Sequence, residues 1–181
     1  MTAVFINSFI LFFVTIDTIG NIPFFLSLTE DAKIKQRNQI ALRSIVIAFF
    51  IMITFAYAGR YLLEVIDVSL DSLKIAGGII LMFLAIDILF EKRKKRREKR
   101  VEDALDEKSF EEIIVFPIAI PFIAGPSALT TVILLIGNYS TNTEFQIPVI
   151  LALVAALVVS LILMIGANFI VKFIPKQILH A

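Results

Sequence analysis

Between Glu112 and Glu144 the chain carries no charged side chain, yet within that run, Ile113 to Thr143, stand Pro117, Pro121, Gly125 and Pro126. The run is long enough to cross a bilayer core of ~30 Å as a helix of roughly 20 residues. Each proline, however, removes an amide donor and obstructs the carbonyl four residues back. Unsatisfied backbone groups facing lipid cost several kcal/mol apiece, so broken helices at membrane depth are tolerated where protein or a polar cavity covers them. The stretch from Pro117 to Thr131 is therefore expected to be two half-helices around a joint rather than a plain span.

The rest of the chain agrees with a membrane setting. Of its 181 residues, 59% are hydrophobic and 18% charged, the balance of a polytopic membrane protein. Five segments are read as spanning: about Thr2 to Thr29, Ile40 to Val65, Leu70 to Phe90, Ile113 to Asn138 and Ile147 to Val171. The expected fold class is an all-α polytopic helical bundle forming a single membrane domain, 1–181. The first apolar run lacks a basic start and is interrupted by Asp17, so it is read as a spanning segment and not as a cleavable signal. With no cysteine and one histidine, His180, neither a thiolate site nor a histidine-based catalytic centre is expected. No enzyme, metal site or cofactor is read from the sequence.

Lysine and arginine set the orientation. Fifteen of the seventeen, with Arg43 at the start of segment two included, fall in or beside the linkers after segments one, three and five, while Arg60 and Lys74 lie on the other side. The positive-inside rule then puts the N-terminus outside and residues 91–112 in the cytoplasm of a multi-pass cell-membrane protein. That loop runs from a basic half (Glu91 to Arg100) to an acidic one. It lacks the aromatic residues that would stack bases, so it is read as a solvated loop near lipid headgroups, with no nucleic-acid partner.

Segment one has its own interruption, Asp17-Thr18-Ile19-Gly20-Asn21-Ile22-Pro23. In both interrupted segments a glycine suited to end one half-helix precedes a proline suited to open the next. Segments one and four run in opposite directions across the membrane. The chain thus reads as an inverted repeat of three helices, residues 1–90 and 113–181, whose second copy lacks its last helix; Phe173 to Ala181 is too short to span. Paired interrupted helices point to a central site in secondary transporters. Free amides opening the second half of segment four (Ser127, Ala128, Leu129), and those just after Pro23, suit a carboxylate. Asp17, Asn21, Ser127, Thr130 and Thr131 add groups for an ammonium. The candidate substrate-binding residues are Asp17, Gly20, Asn21, Gly125, Ser127, Ala128, Thr130 and Thr131, with Pro23, Pro117, Pro121 and Pro126 as helix breakers, and a small zwitterion is the expected ligand. Competing readings stand beside these: Asp17 as a cap of its own joint, Thr130 and Thr131 bonded back to their own helix, Gly77-Gly78 as a close-packing site, and Asp87 as an interfacial structural residue.

Three motifs carry a family resemblance: Asp17-x-x-Gly20-x-x-Pro23-x-Phe25-Leu26-x-Leu28-Thr29; Ala76-Gly77-Gly78-Ile79-Ile80-Leu81 with Ala85-Ile86-Asp87; and Pro117-x-Ala119-x-Pro121-x-x-Ala124-Gly125-Pro126-x-Ala128-x-Thr130-Thr131. With these the chain resembles the MarC family of integral membrane proteins, which includes transporters of small neutral amino acids. The resemblance implies two inverted three-helix halves, a substrate site between the broken helices, transport of the glycine and alanine class, and coupling to a proton or sodium gradient. Thr18 stands where the family commonly has proline. A sixth helix expected from the family does not follow segment five, which favours as the alternative a non-transporting membrane scaffold or subunit, with a second copy of the chain among its candidate partners.

Overall fold

The computed structural model describes residues 1–30, 32–69, 111–139 and 143–173, together with scattered positions between 71 and 86. Among these residues every regular element is helical: α1 (Thr2–Thr15), α2 (Asn21–Leu28), α3 (Ile34–Val65), α4 (Ile114–Ile123), α5 (Pro126–Asn138) and α6 (Thr143–Phe173). Most of the third expected segment, with Gly77 and Asp87, the loop after it as far as Phe110, and the last eight residues lie outside the described residues. Gly78 is described, and among the described residues nothing lies within 4 Å of where its Cβ would be.

Among the described residues two stretches are long and apolar enough to cross a bilayer, Ile34–Gly59 in α3 and Thr143–Ala167 in α6. Glu111–Ile123 and Pro126–Asn138 form a third if joined across their 60° bend, whereas Thr2–Thr15 is too short to cross alone. Of the five expected segments, the described residues thus supply up to three. Helix α3 begins at Ile34, six residues before the expected Ile40, because Lys33-Ile34-Lys35-Gln36 forms a capping box in which the Gln36 side chain accepts from the Lys33 N–H at 3.1 Å.

Along their middle turns both long helices present apolar residues inward and outward. On α3 the buried stripe Ala41, Ser44, Ala48, Met52, Ala56 and Leu63 follows helical spacing. Leu42, Val46, Phe50 and Tyr57 are exposed on the other side. Helix α6 repeats the arrangement, with Val149, Ala152, Ala156, Ser160 and Met164 inside and Leu151, Val158 and Ile162 outside. A helix with apolar residues on every side suits lipid contact. Between apolar helices in lipid, close packing replaces the hydrophobic drive, and small residues such as these alanines permit it. The packing crosses the two halves of the chain: α1 and α2 lie on α6, while α4 and α5 lie on α3.

At one end of the bundle polar ties fasten the start of α3 to its neighbours. Buried Arg37 donates through Nε and Nη2 to the Thr29 carbonyl, at 3.2 and 2.7 Å, and through Nη2 to the Glu30 carbonyl at 3.4 Å. A guanidinium thereby closes the C-terminal end of α2. Ser44 donates to the Ile114 carbonyl at 3.0 Å, and Arg43 lies 3.7 Å from Glu111 on the surface. Arg37→Met should lower stability by about 2 kcal/mol, since it deprives buried carbonyls of a charged donor. Arg37→Lys should recover only part, because an ammonium lacks the guanidinium fork. Reversible unfolding of the three proteins in mild detergent measures both differences.

Candidate functional site

The first joint is built around Asp17. Helix α1 ends at Thr15, and Asp17 adopts the left-handed conformation (φ 50), which aspartate tolerates better than branched residues do. Its carboxylate Oδ1 accepts from the Gly20 N–H at 3.2 Å, and its carbonyl accepts from the Asn21 N–H at 3.0 Å. The Ile22 N–H goes to the Ile19 carbonyl at 3.2 Å. A Cβ on Gly20 would meet the Asp17 carboxylate, so a larger residue there would push that side chain off the Gly20 N–H. Because Gly20 is turned to Asp17, the Ile16 carbonyl loses the donor that an unbroken helix would bring four residues on.

Pro23 does not make this break. It is the third residue of α2, within the first turn, where a missing N–H is tolerated. The amides that Asp17 and Ile19 engage at this break are those of Gly20, Asn21 and Ile22, ahead of Pro23, while the amides just after Pro23, expected to open a half-helix, lie inside α2. Asp17 itself is exposed and caps its own turn.

The second joint follows from its prolines. Phe116 and Ile120, which precede Pro117 and Pro121, have extended angles (φ −128, ψ 123 and φ −129, ψ 126), and both Xaa–Pro bonds are cis. A residue before proline is driven out of the helical region, so α4 is irregular and closes with the Ala124 N–H on the Ala119 carbonyl, five residues back, at 2.9 Å. Gly125 is extended (φ −77, ψ 169), and Pro126 opens α5. A Cβ on Gly125 would lie 2.5 Å from the Pro121 carbonyl oxygen, so only glycine lets the chain double back here. The Phe122 carbonyl should receive a hydrogen bond from residue 126, but proline has no N–H to give.

One side chain repairs both losses. Buried Asn21 donates one Nδ2 hydrogen to the Ile16 carbonyl at 2.7 Å and the other to the Phe122 carbonyl at 2.8 Å. The Phe24 and Phe122 rings stack beside it, centroids 5.2 Å apart. A second polar tie joins the first break to α6, where Thr18 and Ser160 lie 2.8 Å apart, both buried. Ser160 gives its proton to the Ala156 carbonyl at 2.9 Å, so Thr18 is the donor between them.

Of the expected site residues, Asp17, Gly20 and Asn21 form the first joint, and Asn21 connects it to the second beside Gly125. At the head of α5 the Leu129 N–H bonds the Gly125 carbonyl at 2.9 Å, which leaves the Ser127 and Ala128 amides without an acceptor among the described residues. The other α5 hydroxyls divide. Ser127 is exposed, and Thr131 donates to the Ser127 carbonyl at 2.8 Å on that outward side, so neither side chain joins the centre. Thr130 is 2% exposed, and its hydroxyl has no hydrogen-bond partner among the described residues. Ser160 and the Phe122 carbonyl were not anticipated. The signals were a lone hydroxyl in the apolar run of segment five and a proline four residues after Phe122. Among the described residues no cluster of three His, Asp or Glu side chains could hold a metal ion.

Asn21→Leu should cost about 2–4 kcal/mol of stability, because two buried carbonyls lose their donors. Pro126→Ala supplies a new amide four residues after Phe122, so in that background the cost of Asn21→Leu should fall by roughly 1 kcal/mol. A double-mutant cycle on unfolding in detergent tests this, and strictly additive costs would show that the two residues are not coupled.

The comparisons with known proteins agree with the membrane setting. The family model described as MarC family integral membrane protein matches residues 2–181. A UPF0056 membrane protein of Archaeoglobus fulgidus is 38% identical over 159 residues, 87% of this chain and 72% of the relative. One of Methanocaldococcus jannaschii is 33% identical, over 93% of this chain and 73% of the relative. The inner membrane protein YhgN of Escherichia coli is 29% identical, over 92% and 75%. No solved structure matches. The chain belongs to the MarC family of integral membrane proteins.

Proposed function

We propose that the protein is a secondary transporter of small neutral amino acids, glycine and alanine foremost, with its substrate site between the two broken helices. The observation that carries this reading is the Asn21 bridge, which holds two interrupted segments together by their joints. Interrupted helices meeting inside a bundle are the arrangement by which transporters present backbone groups to a small polar substrate. The joint has complementary parts for a zwitterion. The Ser127 and Ala128 amides open α5 at the positive end of its dipole and suit a carboxylate. Asn21 Oδ1, held in place by its amide's two donations, accepts from no described group and suits an ammonium.

The crossed packing supports an inverted repeat, because each broken segment lies on the second helix of the opposite half. It also changes what would move. The rocking bodies are α1, α2 and α6 against α3, α4 and α5, not the first half of the chain against the second. Asp17, exposed at its joint, is the proposed coupling group for a proton or sodium ion, and the loop 91–112 is assigned to the cytoplasmic face.

Purified full-length protein in liposomes should take up labelled glycine or alanine down an imposed cation gradient. Gly125→Leu should abolish uptake, since a side chain there meets the Pro121 carbonyl. Asp17→Asn should lower uptake or remove its dependence on the cation gradient. Uptake that neither substitution changes would place the site elsewhere, and no uptake from folded protein would favour the scaffold reading.

A further inference from the structure

Helices α3 and α5 part at their C-terminal ends around a cleft of about 330 Å³ lined by Leu63 and Glu64 on one side and Ile133, Gly137 and Asn138 on the other. Its mouth is polar, with a carboxylate and an amide, and its walls are apolar. The volume is of the order that a small solute needs.

The cleft closes at Ile133. A Cβ built on Gly59 would come within 2.7 Å of Ile133 Cδ1, so the isoleucine tip rests on the bare glycine backbone of α3. One flexible side chain against a residue with none is a contact that a rotamer change can open.

Thr130 lies three residues before Ile133, on the same face of α5 and one turn nearer the Gly125–Pro126 joint. The hydroxyls of Thr15, Thr29, Thr54 and Thr131 each donate to the carbonyl four residues back. Thr130, buried as deeply as Thr18, does not, and has no other partner among the described residues. A buried hydroxyl without a partner calls for an explanation, and a hydrogen-bonding solute that visits it is one. The order from the open end is thus cleft, isoleucine on glycine, free hydroxyl, broken joint.

We propose that the α3/α5 cleft is the mouth of the substrate path, that Ile133 resting on Gly59 is its gate, and that Thr130 is the hydrogen-bonding group behind the gate. The path suits a small solute without net charge, because beyond Glu64 at the mouth its named walls carry only uncharged groups. The identity of the solute rests on the transport reading above; the path is read from the cavity and the contact that closes it.

The chain has no cysteine, so Thr130→Cys and Gly137→Cys each create a single thiol. In permeabilised membranes, Gly137→Cys at the mouth should react quickly with a small water-soluble methanethiosulfonate. Thr130→Cys should react slowly, and adding Ile133→Ala should raise its rate by roughly tenfold as the open population grows. The milder Ile133→Val should give a smaller rise and serves if the alanine variant does not fold. Saturating glycine should slow the reaction of Thr130→Cys and leave Gly137→Cys faster than it. A Thr130→Cys rate indifferent to Ile133, while Gly137→Cys reacts, would overturn the path even if glycine uptake is intact. Labelling that Ile133 controls but glycine does not slow would leave the path standing and overturn the amino-acid reading.

Discussion

Two carbonyls without helical donors, those of Ile16 and Phe122, come from different ends of the chain and are satisfied by the same amide. Each is orphaned for a local reason. Gly20 has turned its N–H to the Asp17 carboxylate, and Pro126 has none. In an apolar surrounding each would cost several kcal/mol if left bare. A buried asparagine has two donors on one nitrogen, and here they answer two breaks at once. The defects are therefore not independent: the presence of each fixes where the other must lie.

This coupling explains why the packing crosses the chain. Once the joints are held together by Asn21, the half-helices leading away from them need long partners to cover their flanks. Those partners are α6 for the first broken segment and α3 for the second. Their buried faces are rich in alanine and serine, which let backbones approach closely without large side chains. Thr18 with Ser160 and Ser44 with the Ile114 carbonyl repeat the theme on each side. Every one of these ties places a polar group where an irregular backbone or a lone hydroxyl would otherwise be left in an apolar interior.

Much of this was legible in the sequence, because proline and glycine act locally. Pro126 at the head of a helix, with Gly125 before it, needs no tertiary knowledge, and the structure has both there. Pro23 misled for the same local reason: its position looked like a helix start, but Asp17 and Gly20 break the chain earlier, and α2 already includes the proline. Asn21 was legible as a polar residue at the joint, but not that both its donors would be taken by carbonyls, since that depends on a residue 101 positions away. Ser127 and Thr131 were grouped with Thr130 by proximity, but the helical turn separates them. The first two lie outward, and only Thr130 lies inward. Sequence adjacency overstates a site wherever the element that carries it is a helix.

The bridge also limits how such a joint can work. Any motion that draws α2 away from α4 must break the bond from Asn21 to Phe122, and proline cannot supply a replacement. A joint held in this way resists separation but allows rotation about the amide, because both acceptors are single carbonyl oxygens whose directional demands are broad. For the rocking proposed above, of α3, α4 and α5 against α1, α2 and α6, the Asn21 bridge would serve as the pivot. With the pivot at the joint, the helix ends, where α3 and α5 already part, would swing furthest. Under that proposal access could change at the helix ends without breaking the bond from Asn21 to Phe122.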